Sequence, residues 1–469
     1  MSEKQSNSRA SVSRRKFLSN VAIGATGALG AGSLLTSCSG DGKQVNAYTP
    51  LRPAHEVYIP ELPDKAVDGK PLRAALIGCG GRGTGAAVNF LNAANDVSIV
   101  ACADLFKDRV DRCRERLLKS NNPIADDMCF LGFDSYKKVC DLDVDVVLIV
   151  SPELFHSEHF KYAVERGKHI FVEKPAAIDA AGYRTFMTAV RQAQAQDQCV
   201  VTGTQRHHHR GYVESYKLVQ EGYIGQITSG VVYWNQAYLD YGSRQPGWTD
   251  MEYMLRCYLY WNWLGGDHVI HQLVHNVDVF TWFSHLKPVR AIGMGSRLRR
   301  TAGDIYDNFS IDIEFENNVH VHAMARQMDD CDNRVAEIIQ GTKGQWNSLN
   351  NQFTITDLAG NVVWQYDRAA DRERFQQHDP YTLEHVDLIN HIRKGTVTNH
   401  AELMAISSMA CIMARESAYS GKAFTWDEMV NSDQNFTPEE WHLGNLDMSK
   451  FTIPIPGSPP KPQVSSYST

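Results

Sequence analysis

Four glycines cluster within six residues, and an aspartate ends the next apolar run along the chain. The turn from Gly78 to Gly83 follows a short apolar run and opens a helical stretch, and Asp104 closes the second run. In such a turn the glycines allow a sharp bend, close approach of a pyrophosphate and packing of the helix on the strand. A carboxylate at the position of Asp104 accepts hydrogen bonds from ribose hydroxyls, which favours NAD over NADP. The predicted cofactor contacts here are Gly78, Gly80, Gly81, Arg82, Gly83 and Asp104.

Three histidines later in the chain are spaced so that a helix would present them on one face. His268, His271 and His275 follow the spacing i, i+3, i+7. Such a face could bind a transition metal, and His271 to His275 has the histidine spacing of zinc proteases, but the glutamate that serves as their base is missing. We therefore expect no metal and predict contacts with substrate hydroxyls, with core packing as the alternative for His268.

A glycine turn of this kind binds a dinucleotide when it joins a strand of a parallel sheet to a helix. The hydrophobic pattern of residues 72–205 predicts such a sheet. Short apolar runs alternate with helical stretches, which is typical of βαβ units and of a doubly wound Rossmann sheet in an α/β protein. The predicted strands are 73–77, 97–103, 144–150, 169–172 and 199–203, and the predicted helices are 84–94, 107–119, 157–166 and 179–196.

Residues 206–450 have a different pattern, with longer and half-polar runs. They predict a second, α+β domain with a large and mostly antiparallel sheet. Its predicted strands are 226–233, 289–294, 308–315, 319–325, 336–340 and 352–357, and its predicted helices are 212–221, 268–283, 381–394 and 400–419.

Polar residues follow two of the predicted parallel strands, at the edge where an open parallel sheet binds ligands. Ser151-Pro152, with His156 beyond it, ends one strand, and Glu173-Lys174-Pro175 ends the next. Together with the glycine turn, these segments resemble the glucose–fructose oxidoreductase, inositol dehydrogenase and rhizopine-catabolism family (Gfo/Idh/MocA) over about residues 72–450. The resemblance implies further cofactor contacts from Ser151, His156, Glu173, Lys174 and Gln205.

The same resemblance implies catalytic roles for a lysine and a histidine. In the family the lysine of Glu-Lys-Pro lies beside the nicotinamide, so Lys174 would hold the reacting alcohol and stabilise its developing alkoxide. The pKa of a buried ammonium falls readily toward neutral pH, which suits this role. His275 corresponds to the family's histidine base, but the acid that precedes it by four residues in the family is replaced by His271. Asp267, one turn earlier, could supply that acid.

Contacts with the substrate are predicted before this helix and at its start. Aromatic faces commonly stack on sugar rings, and aromatic residues are dense just before the helix, although core packing is their alternative role. The predicted substrate contacts are Arg206, Tyr212, Trp263 and His268.

The first 38 residues resemble an export signal. Arg14 and Arg15 belong to a segment similar to a twin-arginine signal, and residues 35–38 are similar to a lipobox in which Cys38 is acylated. The apolar run between them is shorter than the roughly 20 residues of a membrane-spanning helix. We expect a periplasmic or cell-envelope lipoprotein with a linker at 39–71 and a Pro-rich tail at 451–469.

Composition and net charge restrict the classes of molecule that this protein is expected to bind. The formal net charge is −7, and no basic block lies beyond the N-terminus, which argues against nucleic acid. Hydrophobic residues make up 43% of the chain and charged residues 22%, as in an ordinary globular protein. We expect a small carbohydrate as substrate, a homo-oligomer, and membrane contact only through the lipid anchor.

Export restricts the chemistry, because little free NAD is present outside the cytoplasm. We therefore expect the cofactor to stay bound and to be regenerated in place during oxidoreduction of a sugar, glycoside or polyol. An NAD-dependent glycoside hydrolase, acting by oxidation, elimination and re-reduction, is the alternative, and a non-catalytic sugar-binding lipoprotein is the third. The intact Glu173-Lys174-Pro175 favours the oxidoreductase, whereas His271 in place of the acid favours the hydrolase.

Overall fold

The computed structural model describes residues 50–53 and 56–458. The predicted export signal, Cys38 and the first part of the linker lie outside the described residues, as does the tail beyond residue 458. Within the described ranges, no helix combines the length and the apolar character that crossing a membrane requires.

The first domain contains a six-stranded parallel sheet in the order β3-β2-β1-β4-β5-β6, which confirms the predicted Rossmann fold. The strand order reverses between β1 and β4, and ligands bind at such a switch point. Its strands are β1 (Leu72–Ile77), β2 (Val97–Asp104), β3 (Cys129–Leu131), β4 (Val146–Ile149), β5 (His169–Val172) and β6 (Val200–Thr202). Its helices are α1 (Gly81–Ala93), α2 (Lys107–Leu118), α3 (Ser135–Cys140), α4 (His156–Glu165) and α5 (Ala180–Ala195).

The second sheet has nine strands in the order β14-β13-β12-β11-β7-β10-β9-β8-β15. Its neighbouring strands are antiparallel except for the parallel pair β7 and β10, so the predicted mostly antiparallel sheet is confirmed. Its strands are β7 (Ile227–Gln236), β8 (Pro288–Ser296), β9 (Asn308–Phe315), β10 (Val319–Gln327), β11 (Arg334–Gly341), β12 (Gly344–Asn347), β13 (Thr354–Asp357), β14 (Val362–Gln365) and β15 (Phe424–Thr425).

Two long C-terminal helices, α11 (Pro380–Lys394) and α12 (Ala401–Ser420), pack against the first domain, and α12 also packs against the second. Helix α12 packs against β8 and α9 of the second domain and against α5 of the first, and α11 packs against α1. The helices of this region are α6 (Arg210–Gln220), α7 (Asp250–Arg256), α8 (Asn262–Gly265), α9 (Val274–Ser284), α10 (Arg368–Arg374), α11 (Pro380–Lys394), α12 (Ala401–Ser420) and α13 (Trp426–Val430).

The described end of the predicted linker has no strand or α-helix, but it is bound along the body rather than free. The Ala66 amide donates to the Ala93 carbonyl, and the Val67 amide donates to Asn390 Oδ1 at 2.9 Å. Leu62 is buried. Hydrogen bonds therefore hold this part of the predicted linker against the body in place of regular secondary structure.

Candidate functional site

The turn between β1 and α1 has the backbone that a pyrophosphate requires. Gly78 has a φ of +97°, and a Cβ there would lie 2.3 Å from the Val150 carbonyl oxygen. A Cβ on Gly83 would lie 1.8 Å from the Gly78 carbonyl oxygen, so both positions exclude side chains. Gly80 and Gly81 instead face open space, and no side chain caps the N-terminus of α1. Free amides at a helix N-terminus bind phosphate, so these residues fit the pyrophosphate of NAD.

Asp104 fixes the other side of this turn. Its carboxylate accepts hydrogen bonds from the amides of Cys79 at 2.7 Å and Phe106 at 2.9 Å. Beside it lies a pocket that suits an adenosine. The pocket is lined by Gly78, Asp104 and Ser151 together with the apolar side chains of Phe106, Phe133, Phe155 and Leu255.

A second cavity, of about 310 Å³, lies at the carboxyl ends of β4 and β5 and shares Ser151 with the adenosine pocket. The two pockets therefore lie next to each other along the ends of the parallel strands, and together they are called the cleft. The predicted residues on the second cavity are Arg82, Ser151, His156, Glu173, Lys174, Gln205, His271 and His275. The Gln205 Oε1 atom is buried and accepts no hydrogen bond from any described residue, which leaves it available to a ligand.

Lys174 is a partly buried cation in the wall of this cavity. Its Nζ donates to the His271 carbonyl oxygen at 2.5 Å. Burial lowers the pKa of the ammonium below its ordinary value, and the charges of Glu173 and Glu153 only partly oppose this. An ammonium with a lowered pKa can donate to a hydroxyl oxygen and can also give up its proton.

Glu173, just before Lys174, is held by an arginine of the glycine turn. The Arg82 Nε donates to Glu173 Oε1 at 2.5 Å, and the Arg82 guanidinium lies 4.7 Å from the centre of the Tyr381 ring. Arg82 also reaches Glu384 of α11 at 3.4 Å. The predicted cofactor contacts Arg82 and Glu173 therefore form an ion pair in the cavity wall.

His271 has an acid partner, which comes from the first domain. Its Nδ1 lies 2.5 Å from Glu153 Oε1, and Glu153 follows β4 directly after Ser151-Pro152. Burial raises the pKa of Glu153 to about 7 and lowers the pKa of His271 well below its ordinary value. Glu153 therefore titrates near neutral pH, where the His271 imidazole beside it is neutral. Sequence reasoning missed Glu153, although its position at a strand end was the available signal.

His275 lies at the start of α9 with its ring stacked on Trp234, at a centroid distance of 5.4 Å. Its ring has no hydrogen-bond partner among the residues that the structure describes. Burial and the nearby charge of Lys174 lower the pKa of His275 well below its ordinary value. A neutral imidazole with an unused nitrogen beside a cavity can accept a proton.

Asp267 does not supply the missing acid, and this prediction is corrected. Its carboxylate accepts hydrogen bonds from His268, from the Tyr306 amide at 2.9 Å and from the Tyr419 hydroxyl at 2.5 Å. It is 1% exposed and makes no contact with His271 or His275. Asp267 therefore holds the backbone before the helix.

The histidines do not share one face, which corrects a second prediction. A π-helical turn at Val269–Leu273 precedes α9, so the angular spacing differs from that of an α-helix. His271 and His275 line the cavity, whereas His268 is buried against Phe309 with its Nδ1 3.0 Å from Asp267. The packing alternative for His268 is the one observed.

Three other predicted substrate contacts lie behind or away from the cavity wall. Arg206 pairs with buried Glu337 at 2.7 Å, and the Tyr212 hydroxyl donates to Glu337 at 3.0 Å. The Arg206 guanidinium lies 5.4 Å from the Trp234 ring centre and thus supports the ring under His275. Trp263 packs against Trp441 in the core. The aromatic residues on the cavity are instead Trp234, Tyr258 and Tyr381.

The fold and the cleft define a two-domain, NAD-binding oxidoreductase fold. Residues 72–203 match the family model described as "Oxidoreductase family, NAD-binding Rossmann fold". Residues 212–347 match the model of the GFO/IDH/MocA C-terminal domain. The chain belongs to the Gfo/Idh/MocA family, and its first domain is an NAD-binding Rossmann domain, as the sequence predicted.

Curated relatives fall into two groups. A "Glycosyl hydrolase family 109 protein 1" of Bacteroides fragilis is 28% identical over 223 residues, which cover 44% of this chain and 46% of the relative. An "Inositol 2-dehydrogenase" of Salmonella paratyphi B is 24% identical over 211 residues, covering 45% and 54%. The matched region thus spans about half the length of these relatives.

Solved structures share the fold at low sequence identity. The scyllo-inositol dehydrogenase from Lactobacillus casei with bound cofactor NAD(H) and scyllo-inositol has a TM-score of 0.57 at 18% identity, covering 76% of this chain and 100% of its own. The aldose-aldose oxidoreductase from Caulobacter crescentus, complexed with glycerol, has a TM-score of 0.58 at 16% identity, with the same coverage of both chains.

Proposed function

We propose that the chain is an oxidoreductase that acts on a CH–OH group of a sugar, glycoside or polyol, with NAD held in place between turnovers. One observation carries this proposal. Lys174 and the unpartnered ring of His275 line the same cavity, which shares Ser151 with the pocket beside the glycine turn. A cation and a neutral base beside a nicotinamide site are the groups that oxidation of an alcohol needs.

Each residue's task follows from its chemistry. Bound NAD supplies a two-electron acceptor at its nicotinamide ring. Lys174 donates to the reacting oxygen and stabilises the negative charge that develops there, while His275 accepts the hydroxyl proton. Arg82 neutralises Glu173 and so keeps that carboxylate from drawing Lys174 away from the substrate.

The cavity suits a ligand with several hydroxyl groups. Its volume of about 310 Å³ is at the small end of ligand pockets, and polar side chains alternate with the rings of Trp234 and Tyr258. Gln205 and Gln272 offer amides to hydroxyls on the same wall. The names of the relatives, which include inositol dehydrogenases and an aldose-aldose oxidoreductase, support a polyol or sugar.

A second candidate is an NAD-dependent glycoside hydrolase, and Glu153 is the observation that favours it. Oxidation of a ring carbon acidifies the neighbouring C–H bond, so a base can remove that proton while the aglycone leaves. The departing oxygen needs a proton, and a carboxyl group whose pKa is raised to about 7 can supply it. The relatives named as family 109 glycosyl hydrolases support the same candidate.

The purified full chain, with its retained cofactor identified by mass spectrometry, separates the candidates on a panel of sugars and aryl glycosides. The oxidoreductase predicts a change in nicotinamide fluorescence with the right sugar, and repeated turnover only when a second carbonyl acceptor is present. Release of the aryl alcohol without net reduction of cofactor would select the hydrolase. Protein that binds sugar without retaining NAD and without turnover would contradict both.

We also propose that the chain is exported and anchored through acylated Cys38, and that it forms a homo-oligomer. The signal-like segments at residues 13–18 and 35–38 support export and anchoring. Cell fractionation and intact-mass analysis of the membrane fraction test this, because Cys38→Ala should release the protein from the membrane. Sedimentation of the released protein would measure its oligomeric state, and a monomer would contradict the last part.

A further inference from the structure

A second cluster of imidazoles and a carboxylate lies outside the cleft. His208 ends the helical turn Gln205–His208, Asp387 belongs to α11, and His400 immediately precedes α12. Their ligating atoms all lie within 4.8 Å of one another. Asp387 Oδ2 is 3.0 Å from His208 Nε2 and 3.8 Å from His400 Nε2. Three distant parts of the chain therefore converge on one point.

The ligand atoms of this cluster suit a cation. It brings together one carboxylate oxygen and two imidazole nitrogens, and such atoms coordinate divalent transition metals in proteins.

The surroundings leave room for an ion and a further ligand. The Tyr58 hydroxyl donates to the other Asp387 oxygen at 2.8 Å, and His391 Nε2 lies 3.6 Å from that oxygen. A cavity of about 160 Å³, lined in part by Tyr58 and His400, opens beside the cluster. The buried Nδ1 atoms of His208 and His400 have no hydrogen-bond partner in the described part of the chain.

We propose that His208, Asp387 and His400 bind a divalent transition metal of the zinc class, with water from the adjoining cavity as the fourth ligand. Ligands about 2.0–2.1 Å from a tetrahedral Zn²⁺ are about 3.3 Å apart, and the two measured separations of 3.0 and 3.8 Å bracket this value. Two imidazoles and one carboxylate are a ligand set that zinc accepts.

The ion would connect parts of the fold that also shape the cleft. His208 shares a short turn with the cavity residue Gln205, and Asp387 shares α11 with Glu384, which contacts Arg82. Tyr58, on the N-terminal segment, is bonded to the same carboxylate. Because the three ligands come from separate segments, binding would favour the folded state, in which they are assembled.

Cobalt titration of the chelator-treated full chain tests this site, because tetrahedral Co²⁺ has visible absorption bands that Zn²⁺ abolishes by displacement. We expect one equivalent of Co²⁺ to bind, and Zn²⁺ to raise the thermal midpoint by a few degrees. His208→Gln and His400→Gln should each weaken binding about 100-fold. His378→Gln, an exposed histidine outside the cluster, should bind as the wild type does.

His271→Gln distinguishes this site from the cleft, since His271 and His275 also offer imidazoles. Retention of the cobalt spectrum in this variant supports the proposed site, and its loss there with retention in His400→Gln overturns it. Binding of less than 0.1 equivalent by folded wild-type protein, judged by circular dichroism, also overturns it and leaves the cluster as a hydrogen-bonded core element.

Discussion

Two of the histidine–carboxyl pairs in the described part of the chain, His271–Glu153 and His208–Asp387, contain a buried carboxyl group, and these two carboxyl groups are tuned in opposite directions. In the cleft, burial dominates and raises the pKa of Glu153, beside His271, to about 7. Outside the cleft, the hydrogen bond from His208 and the electrostatic interactions with His208 and His400 outweigh burial and lower the pKa of Asp387 to about 2. The balance between burial and the polar groups that face a carboxyl therefore decides whether it acts as an acid or persists as an anion. One pair is suited to proton transfer and the other to holding a charge.

Removal of the cation beside the first pair should have the largest effect. Lys174→Ala removes the group that stabilises charge on the reacting oxygen, so turnover of the identified substrate should fall by about 10²–10⁴-fold. Steady-state kinetics with cofactor occupancy measured in parallel would check this. Lys161→Ala, an exposed lysine on α4, is the matched control. Unchanged turnover in Lys174→Ala would refute its catalytic role.

Replacement of the unpartnered base should come next in size. His275→Gln keeps the volume near Trp234 but cannot accept a proton, and we expect turnover to fall by about 10²-fold with KM little changed. The decisive measurement is the split between kcat and KM. A change confined to KM would mean that His275 only binds the substrate.

Glu153→Gln should change the pH dependence of the rate of aglycone release, whereas Asp387→Asn should leave that dependence unchanged. If Glu153 protonates a leaving aglycone, release of aglycone should fall as pH rises through about 7, because the acid form is then lost. Glu153→Gln should lower this rate by about 10–10²-fold and remove that inflection. Asp387 is already ionised throughout this range. An identical inflection in Glu153→Gln would show that another group titrates.

The smallest effect concerns stability against pH. The pKa of Glu153 is about 7 when folded, against 4.5 ordinarily, so its stabilising contribution is complete below about 4.5 and is lost as pH rises through about 7. The contribution of Asp387 is present above about 3.8 and is lost as pH falls through about 2. Thermal melts between about pH 5 and 8 should therefore vary less in Glu153→Gln than in the wild type.

Asp387→Asn, measured in the same thermal melts, provides the comparison with Glu153→Gln. It should lower the free energy of unfolding by about 1–3 kcal/mol across this pH range, because it removes the charge that accepts two buried hydrogen bonds. Its pH slope should equal that of the wild type. A slope that changes in Asp387→Asn and not in Glu153→Gln would reverse the assignment of the two pairs.

The fold was predictable where one short segment carries its own evidence. Parallel strands that are buried on both faces appear as continuous apolar runs, so β1, β2, β4, β5 and β6 were predicted. The short and half-exposed β3 was not predicted, and the short strands β12, β14 and β15 were also missed.

The site divides in the same way. The glycine turn and Glu173-Lys174 were predictable because each works through its local backbone and its place at a strand end. The directions in which the three histidines point were not predictable, since a single π-helical turn at Val269–Leu273 changes their angular spacing and leaves His268 away from the cavity. The role of Asp267 was not predictable either. Its carboxylate accepts hydrogen bonds from Tyr306, just before β9, and from Tyr419 of α12.

By itself, the sequence determined the NAD-binding Rossmann domain, its glycine turn and the position of Lys174 at the end of a strand, because strand, turn and helix there are contiguous in the chain. Only the tertiary structure decided which acid meets His271, since Glu153 lies 118 residues away in the other domain. It also decided that His208, Asp387 and His400 converge, because α11 and α12 both pack against β6 of the first domain. Proton affinities in this protein follow from those long-range contacts, since burial and hydrogen-bond donors are supplied by the folded chain.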